Sequence, residues 1–69
     1  MKTSARNQFA GVIKELTKGP VSTEVVMEIA PGIQVVAIIS TRSAESLGLA
    51  LGKRSYALIK GSSVVVAVD

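Results

Sequence analysis

The stretch from Ser22 to Ser40 constrains the fold more than any other part of the chain. Thr23, Val25, Met27 and Ile29 alternate with Glu24, Val26 and Glu28, the period of two that turns one set of side chains toward a core and the other away from it. Pro31-Gly32 follows, with proline preset for position i+1 and glycine free to take positive φ at i+2 of a type II turn. A hairpin is therefore predicted. Its second arm, Ile33 to Ser40, is apolar on both faces and reads as buried on both sides, so the rest of the chain must build a sheet around it.

The remaining segments supply that sheet. From Gln8 to Leu16, Phe9, Val12, Ile13 and Leu16 mix with Lys14 and Glu15, as in a strand with an irregularity near Gly11. Lys18-Gly19-Pro20 ends it. After the hairpin, Ser43 is placed to cap a short helix through Leu47, and Gly48 to end it in the left-handed conformation. Arg54 to Lys60 and Val64 to Val68 read as two more strands, parted by Gly61, Ser62 and Ser63. Three strands, one short helix between strands 3 and 4, then two strands is the order of an all-β, five-stranded, OB-like Greek-key barrel. Residues 1–69 form its single domain, and an SH3-like barrel is the competing arrangement.

Size sharpens the expectation. A domain of 69 residues buries only about 60% of the surface its unfolded chain exposes, yet 48% of these residues are hydrophobic. There is no cysteine and no histidine, so a disulfide staple and the usual zinc, copper and iron ligands are missing, and no direct cation ligands are expected. Self-association is the remaining staple. No apolar run approaches the ~20 residues of a membrane helix, and the N-terminus lacks the pattern of a secretory signal. A cytoplasmic protein without a membrane partner is expected.

Composition also excludes functions. Without histidine or cysteine there is no ready general base or thiol nucleophile, and the five acidic residues form no paired-carboxylate spacing. No enzyme is expected. The net charge of +3 favours anionic partners. OB-folds commonly stack nucleic-acid bases on aromatic side chains, but Phe9 and Tyr56 are the only aromatics. An OB-type nucleic-acid-binding module is therefore the second reading.

The first reading is a small oxyanion. A tetrahedral dianion is satisfied by a guanidinium fork, an ammonium, hydroxyls and backbone N–H groups. Ser4 and Arg6 stand at the first strand, Ser40 and Ser43 at the start of the helix, and Lys60 before the Gly61 turn. Taken singly, Ser4 is a tail residue, Ser43 a cap and Lys60 a strand-end charge. Together they supply each kind of donor.

The segment "TSARNQFAG", residues 3–11, with "VSTEVVMEIAPG", "AIIST" followed by "SAESLGL", and "ALIKGSSV", resembles the molbindins, the molybdenum-pterin-binding or Mop domains. These are small OB-like proteins that bind molybdate and tungstate. The blocks span the whole chain in order. The resemblance implies an oxyanion site formed by Ser4, the Ala5 N–H, Arg6, Ser40, Ser43 and Lys60. It also implies a homo-oligomer, a hexamer, with the anions between subunits, molybdate or tungstate as the bound ligand, and no other cofactor. Relatives often carry a hydroxyl or alanine after the lysine. Here Gly61 follows and Ser62 comes one place later, so a Gly61 N–H stands in. A second oxyanion site would involve Gly19, Val21 and Ser22, although Pro20 between them has no N–H to offer. Asn7 and Gln8 are expected to fix the shape of the cradle through backbone hydrogen bonds. The implied role is intracellular storage or homeostasis, with a regulatory or transporter-associated oxyanion domain as a further possibility.

Overall fold

The computed structural model describes residues 1–69. Four strands, β1 (Asn7–Lys18), β2 (Ser22–Ala30), β3 (Ile33–Ser40) and β4 (Arg54–Ile59), form one antiparallel sheet of order β3-β2-β1-β4. Three hairpin-connected strands with a fourth lying beside the first make a Greek key. The expected hairpin is present: Ala30 pairs with Ile33 across Pro31-Gly32, and Gly32 has φ 76°, open to glycine at little cost.

β1 serves two partners. Its first half, Asn7 to Val12, pairs with β4, and its second half, from Val12 to Lys18, pairs with β2. The strand must bend between them. The register shift lies between Ile13 and Glu15 rather than at Gly11. There Gly52 N–H donates to the Ile13 carbonyl at 2.8 Å and Ile13 N–H to the Lys53 carbonyl at 3.0 Å, so a loop takes up the backbone groups the ladder leaves. Gly11 answers a different need. A Cβ there would stand 2.5 Å from the Glu28 carbonyl oxygen, so only glycine lets β2 approach this closely.

The core is small. Ile13, Val25 and Met27 form its centre, with Ala37 and Ile39 of β3 and Ala57 of β4 packed against them. Those residues belong to the two edges of the sheet, so the sheet must curl to bring both onto one centre. Only 7 of the 69 residues are buried. β3 is not covered on both sides as its composition suggests: Ala37 and Ile39 face the core, while Val36 and Ile38 are 59% and 73% exposed. The single curled sheet of one chain covers only its inner face.

The helix α1 (Thr41–Ser46) begins earlier than the sequence suggests. Ser40, not Ser43, is its N-cap: the last residue of β3 keeps extended backbone, and its Oγ accepts the Ser43 N–H at 3.0 Å. Gly48, at φ 63°, follows the helix in the left-handed conformation as expected. Lys53 Nζ donates to the Leu47 and Gly48 carbonyls at 3.1 Å each, satisfying acceptors that the helix end leaves open.

The fifth strand is absent. Residues 64–68 follow a single 3-10 turn (Gly61–Ser63) without joining the sheet, and Val65, Val66 and Val68 are 90%, 85% and 93% exposed. A strand exists only where another edge takes its N–H and C=O groups. Within one chain no edge is paired with this tail, so it stays solvated.

Candidate functional site

The β1–β4 pairing decides where the N-terminal polar residues go. Asn7 pairs with Ile59, which brings the segment before β1 beside the segment after β4. The result is a cleft of about 730 Å³. Ser4, Ala5 and Arg6 line one side, with Lys60, Gly61 and Ser62 on the other. No acidic residue lines it. The chain's one ion pair, Lys18 with Glu45 at 3.3 Å, lies elsewhere, so Arg6 and Lys60 bring uncompensated positive charge to the same space.

Two side chains hold this cleft in shape. Asn7 Nδ2 donates to the Ile59 carbonyl at 3.1 Å, fastening the start of β1 to the end of β4 one residue before Lys60. Gln8 Nε2 donates to the Ala5 carbonyl at 2.6 Å, folding the N-terminal segment back onto the strand. Both therefore act through backbone hydrogen bonds, as their sequence context suggests. Thr3 is a residue that sequence reasoning missed. Its Oγ1 accepts the Ala5 N–H at 3.1 Å, so the donor expected to face an anion is engaged within the chain. The signal was a threonine two residues before the alanine, the spacing at which a hydroxyl caps a nearby backbone N–H.

Ser40 and Ser43 do not line this cleft. They lie at the start of α1, beside the β1–β2 turn. Ser40 pairs directly with Ser22, Thr41 N–H donates to the Val21 carbonyl at 2.8 Å, and Gly19 N–H donates to the Ser22 carbonyl at 2.9 Å. The residues of the expected second site, Gly19, Val21 and Ser22, thus share one corner with Ser40 and Ser43. Gly19 N–H is already used, and Pro20 has none. In this corner Ser40 Oγ donates to Ser43 Oγ at 2.8 Å while accepting the Ser43 N–H. The Ser43 hydroxyl proton has no acceptor within the chain, which makes it the outward donor of the pair.

The two aromatics do not make a stacking platform. Tyr56 lies opposite Ala10, and Phe9 lies opposite Ala57. Adjacent residues point to opposite faces of a strand, so the rings fall on different sides of the β1–β4 ribbon. Tyr56 instead lies under the Arg54 guanidinium, 5.8 Å from its ring centre.

Comparison with known proteins addresses the family and the fold. The TOBE domain family model matches residues 3–66. Molybdenum-pterin-binding protein 1 of Clostridium pasteurianum is 44% identical over 66 residues, covering 96% of this chain and 97% of that protein. Molybdenum transport protein ModE of Herbaspirillum seropedicae is 51% identical over 69 residues, which is all of this chain but only 26% of that protein. The chain thus spans about a quarter of the ModE proteins it matches. Among solved structures, MopII from Clostridium pasteurianum superposes with a TM-score of 0.92 at 42% identity, covering 97% of this chain and all of that one. The molybdate-bound form of ModG, described as a cytoplasmic molybdate-binding protein, gives a TM-score of 0.82 at 42% identity, over 87% of this chain and 43% of its own. Matched nearly end to end in sequence and in fold, the chain belongs to the TOBE-domain family as one of its molybdenum-pterin-binding, or Mop, proteins.

Proposed function

We propose that this protein binds molybdate or tungstate, without catalysis, at sites between the subunits of a homo-oligomer, a hexamer, and serves cytoplasmic storage or homeostasis of the oxyanion. The observation that carries the reading is the pairing of Arg6 and Lys60 across one cleft that no carboxylate lines. An anion there gains charge-assisted hydrogen bonds, with the Ser4 hydroxyl and the Gly61 N–H as neutral donors and the Ser62 hydroxyl in reach of the same space. The Ala5 N–H joins them if the anion displaces Thr3 Oγ1. Ser40 and Ser43 act from a neighbouring chain, since in their own chain they do not line the cleft. The exposed valines at 64–68 are the surface that association would cover, and the barrel's fifth strand forms when the tail finds an edge on another copy. The 19–22 turn contributes to a second oxyanion site through Val21 and Ser22.

Calorimetric titration of the full chain with molybdate, tungstate, sulfate and single-stranded DNA tests this function. Molybdate and tungstate should bind alike. Sulfate, a smaller ion, leaves donors of a shaped site short of contact, and each buried donor left unpaired costs about 1–3 kcal/mol. Two such losses are a discrimination of roughly thirtyfold or more. Sulfate displacing molybdate at equal concentration reduces the site to an unspecific basic patch, and DNA binding without molybdate binding replaces the function altogether.

A further inference from the structure

The only buried polar side chains are Thr23, 2% exposed, and Thr41, 7% exposed. Their hydroxyls are 2.8 Å apart. Thr41 Oγ1 donates to the Gly19 carbonyl at 2.7 Å, so the Thr23 hydroxyl must be the donor between the two. The chain of bonds runs from β2 through the first residue of α1 to the β1–β2 turn. Every member is satisfied.

The fold alone has little need of this arrangement. Valine has nearly the same shape as threonine, and replacing both partners of a hydrogen bond by apolar groups of the same shape can be close to neutral. In a core this small, two hydroxyls at the centre of one corner call for another explanation. What they add is direction. A hydroxyl bonded to a particular carbonyl fixes distance and angle, whereas apolar contact fixes neither. Thr41 is flanked by Ser40 and is two residues from Ser43, and its backbone N–H already holds Val21. Its side chain adds Gly19, so one residue sets both ends of the turn against the Ser40–Ser43 hydroxyl pair.

We propose that Thr41, with Thr23 behind it, is a positioning residue that locks the Gly19–Ser22 turn and the Ser40–Ser43 hydroxyls into one rigid oxyanion-facing edge. This rests on the oxyanion function proposed above. Thr41 touches no ligand; it determines where the Ser43 donor points. Loosening it lets the edge sample orientations in which that donor misses the anion.

The test is molybdate titration of the intact protein and three variants: Thr41→Val, Thr41→Ser and the double variant Thr23→Val with Thr41→Val. Thr41→Ser keeps the hydroxyl and should bind like the parent. Thr41→Val should lose about threefold to tenfold in affinity, the scale of one neutral hydrogen bond. The double variant removes both buried hydroxyls together and leaves only the half-buried Gly19 carbonyl, which water can reach, without its donor, so it should fold, yet bind as weakly as Thr41→Val. A purely structural role predicts a lower melting temperature for Thr41→Val with unchanged molybdate affinity, and that result overturns the assignment. So does failure of the double variant to fold, since the hydroxyls would then serve the fold. A parent that does not bind molybdate removes the oxyanion function, and this inference with it; a parent that binds, with all variants equal to it, removes this inference alone.

Discussion

The Arg6–Lys60 cleft and the Ser40–Ser43 corner are built on opposite plans. In the cleft, two exposed cations converge from strand ends, and the scaffold is backbone register tightened by Asn7 and Gln8. In the corner the groups are hydroxyls, with Arg42 exposed beside them, and they are fixed by a network centred on buried threonines. Charge is concentrated where the side chains are long and free, and geometry where they are short and tied. Long-range attraction needs the first, and discrimination between similar anions needs the second. Neither region alone offers both, which is the physical reason to expect one region of one subunit to meet the other region of its neighbour.

The strongest way to break that comparison is to prevent the two regions from meeting. Burying Val65, Val66 and Val68, now almost fully exposed, is worth about 1.5–3 kcal/mol per side chain before the costs of association. Removing residues 64–69 should therefore yield monomers at micromolar concentration and abolish measurable molybdate binding, although both half-sites remain on the chain. Sedimentation beside calorimetry reads both effects. A truncated protein that still assembles, or a monomer that still binds, shows that the regions do not depend on each other in this way.

Within an intact assembly the cations should matter next. Arg6→Ala and Lys60→Ala each remove a charge-assisted hydrogen bond worth roughly 1.5–3 kcal/mol, a loss of about tenfold to a hundredfold in affinity. Both residues are exposed and outside the core, so circular dichroism should not change. If either variant titrates like the parent with its assembly intact, that residue is a surface charge and the cleft is not the anion's seat.

How far each region could be read from sequence follows from what sets it. The hairpin at Pro31-Gly32 and the left-handed Gly48 were legible because local backbone preferences decide them. Arg6 and Lys60 were legible as donor types at strand ends and through the resemblance to the molbindins, but that the two ends meet is set by the β1–β4 pairing, which no local pattern announces. Other features answer to distant parts of the chain. Gly11 is required by the Glu28 carbonyl of another strand, while the bulge it was expected to mark sits where the 52–53 loop can take up the freed backbone groups. Ser40 was hidden as a cap because it also ends β3, and a strand residue is not ordinarily read as the start of a helix. Val64 to Val68 has the composition of a strand, but a strand also needs an edge, and the four strands of one chain leave this tail unpaired. Thr3 was missed because its bond to Ala5 is a local alternative to the anion that the same N–H was expected to hold.

The smallest effects should separate the two hydroxyls of the corner, and they sharpen the comparison most. Ser43 has a free proton, whereas Ser40 spends its own on Ser43 and its lone pair on the Ser43 N–H. Ser43→Ala therefore removes a donor to the anion and little else, because the backbone N–H that Ser40 caps is still present. A neutral hydrogen bond is worth about 0.5–1.5 kcal/mol, so affinity should fall roughly twofold to tenfold with melting temperature nearly unchanged. Ser40→Ala removes the cap, which costs about 0.5–2 kcal/mol of stability, and leaves the Ser43 hydroxyl free but unoriented. Its signature is a lower melting temperature together with a smaller loss of affinity than Ser43→Ala. Paired thermal melts and molybdate titrations distinguish the two patterns. If Ser40→Ala weakens binding more than Ser43→Ala at equal stability, the donor order in the corner is reversed and Ser40 is the residue that meets the anion.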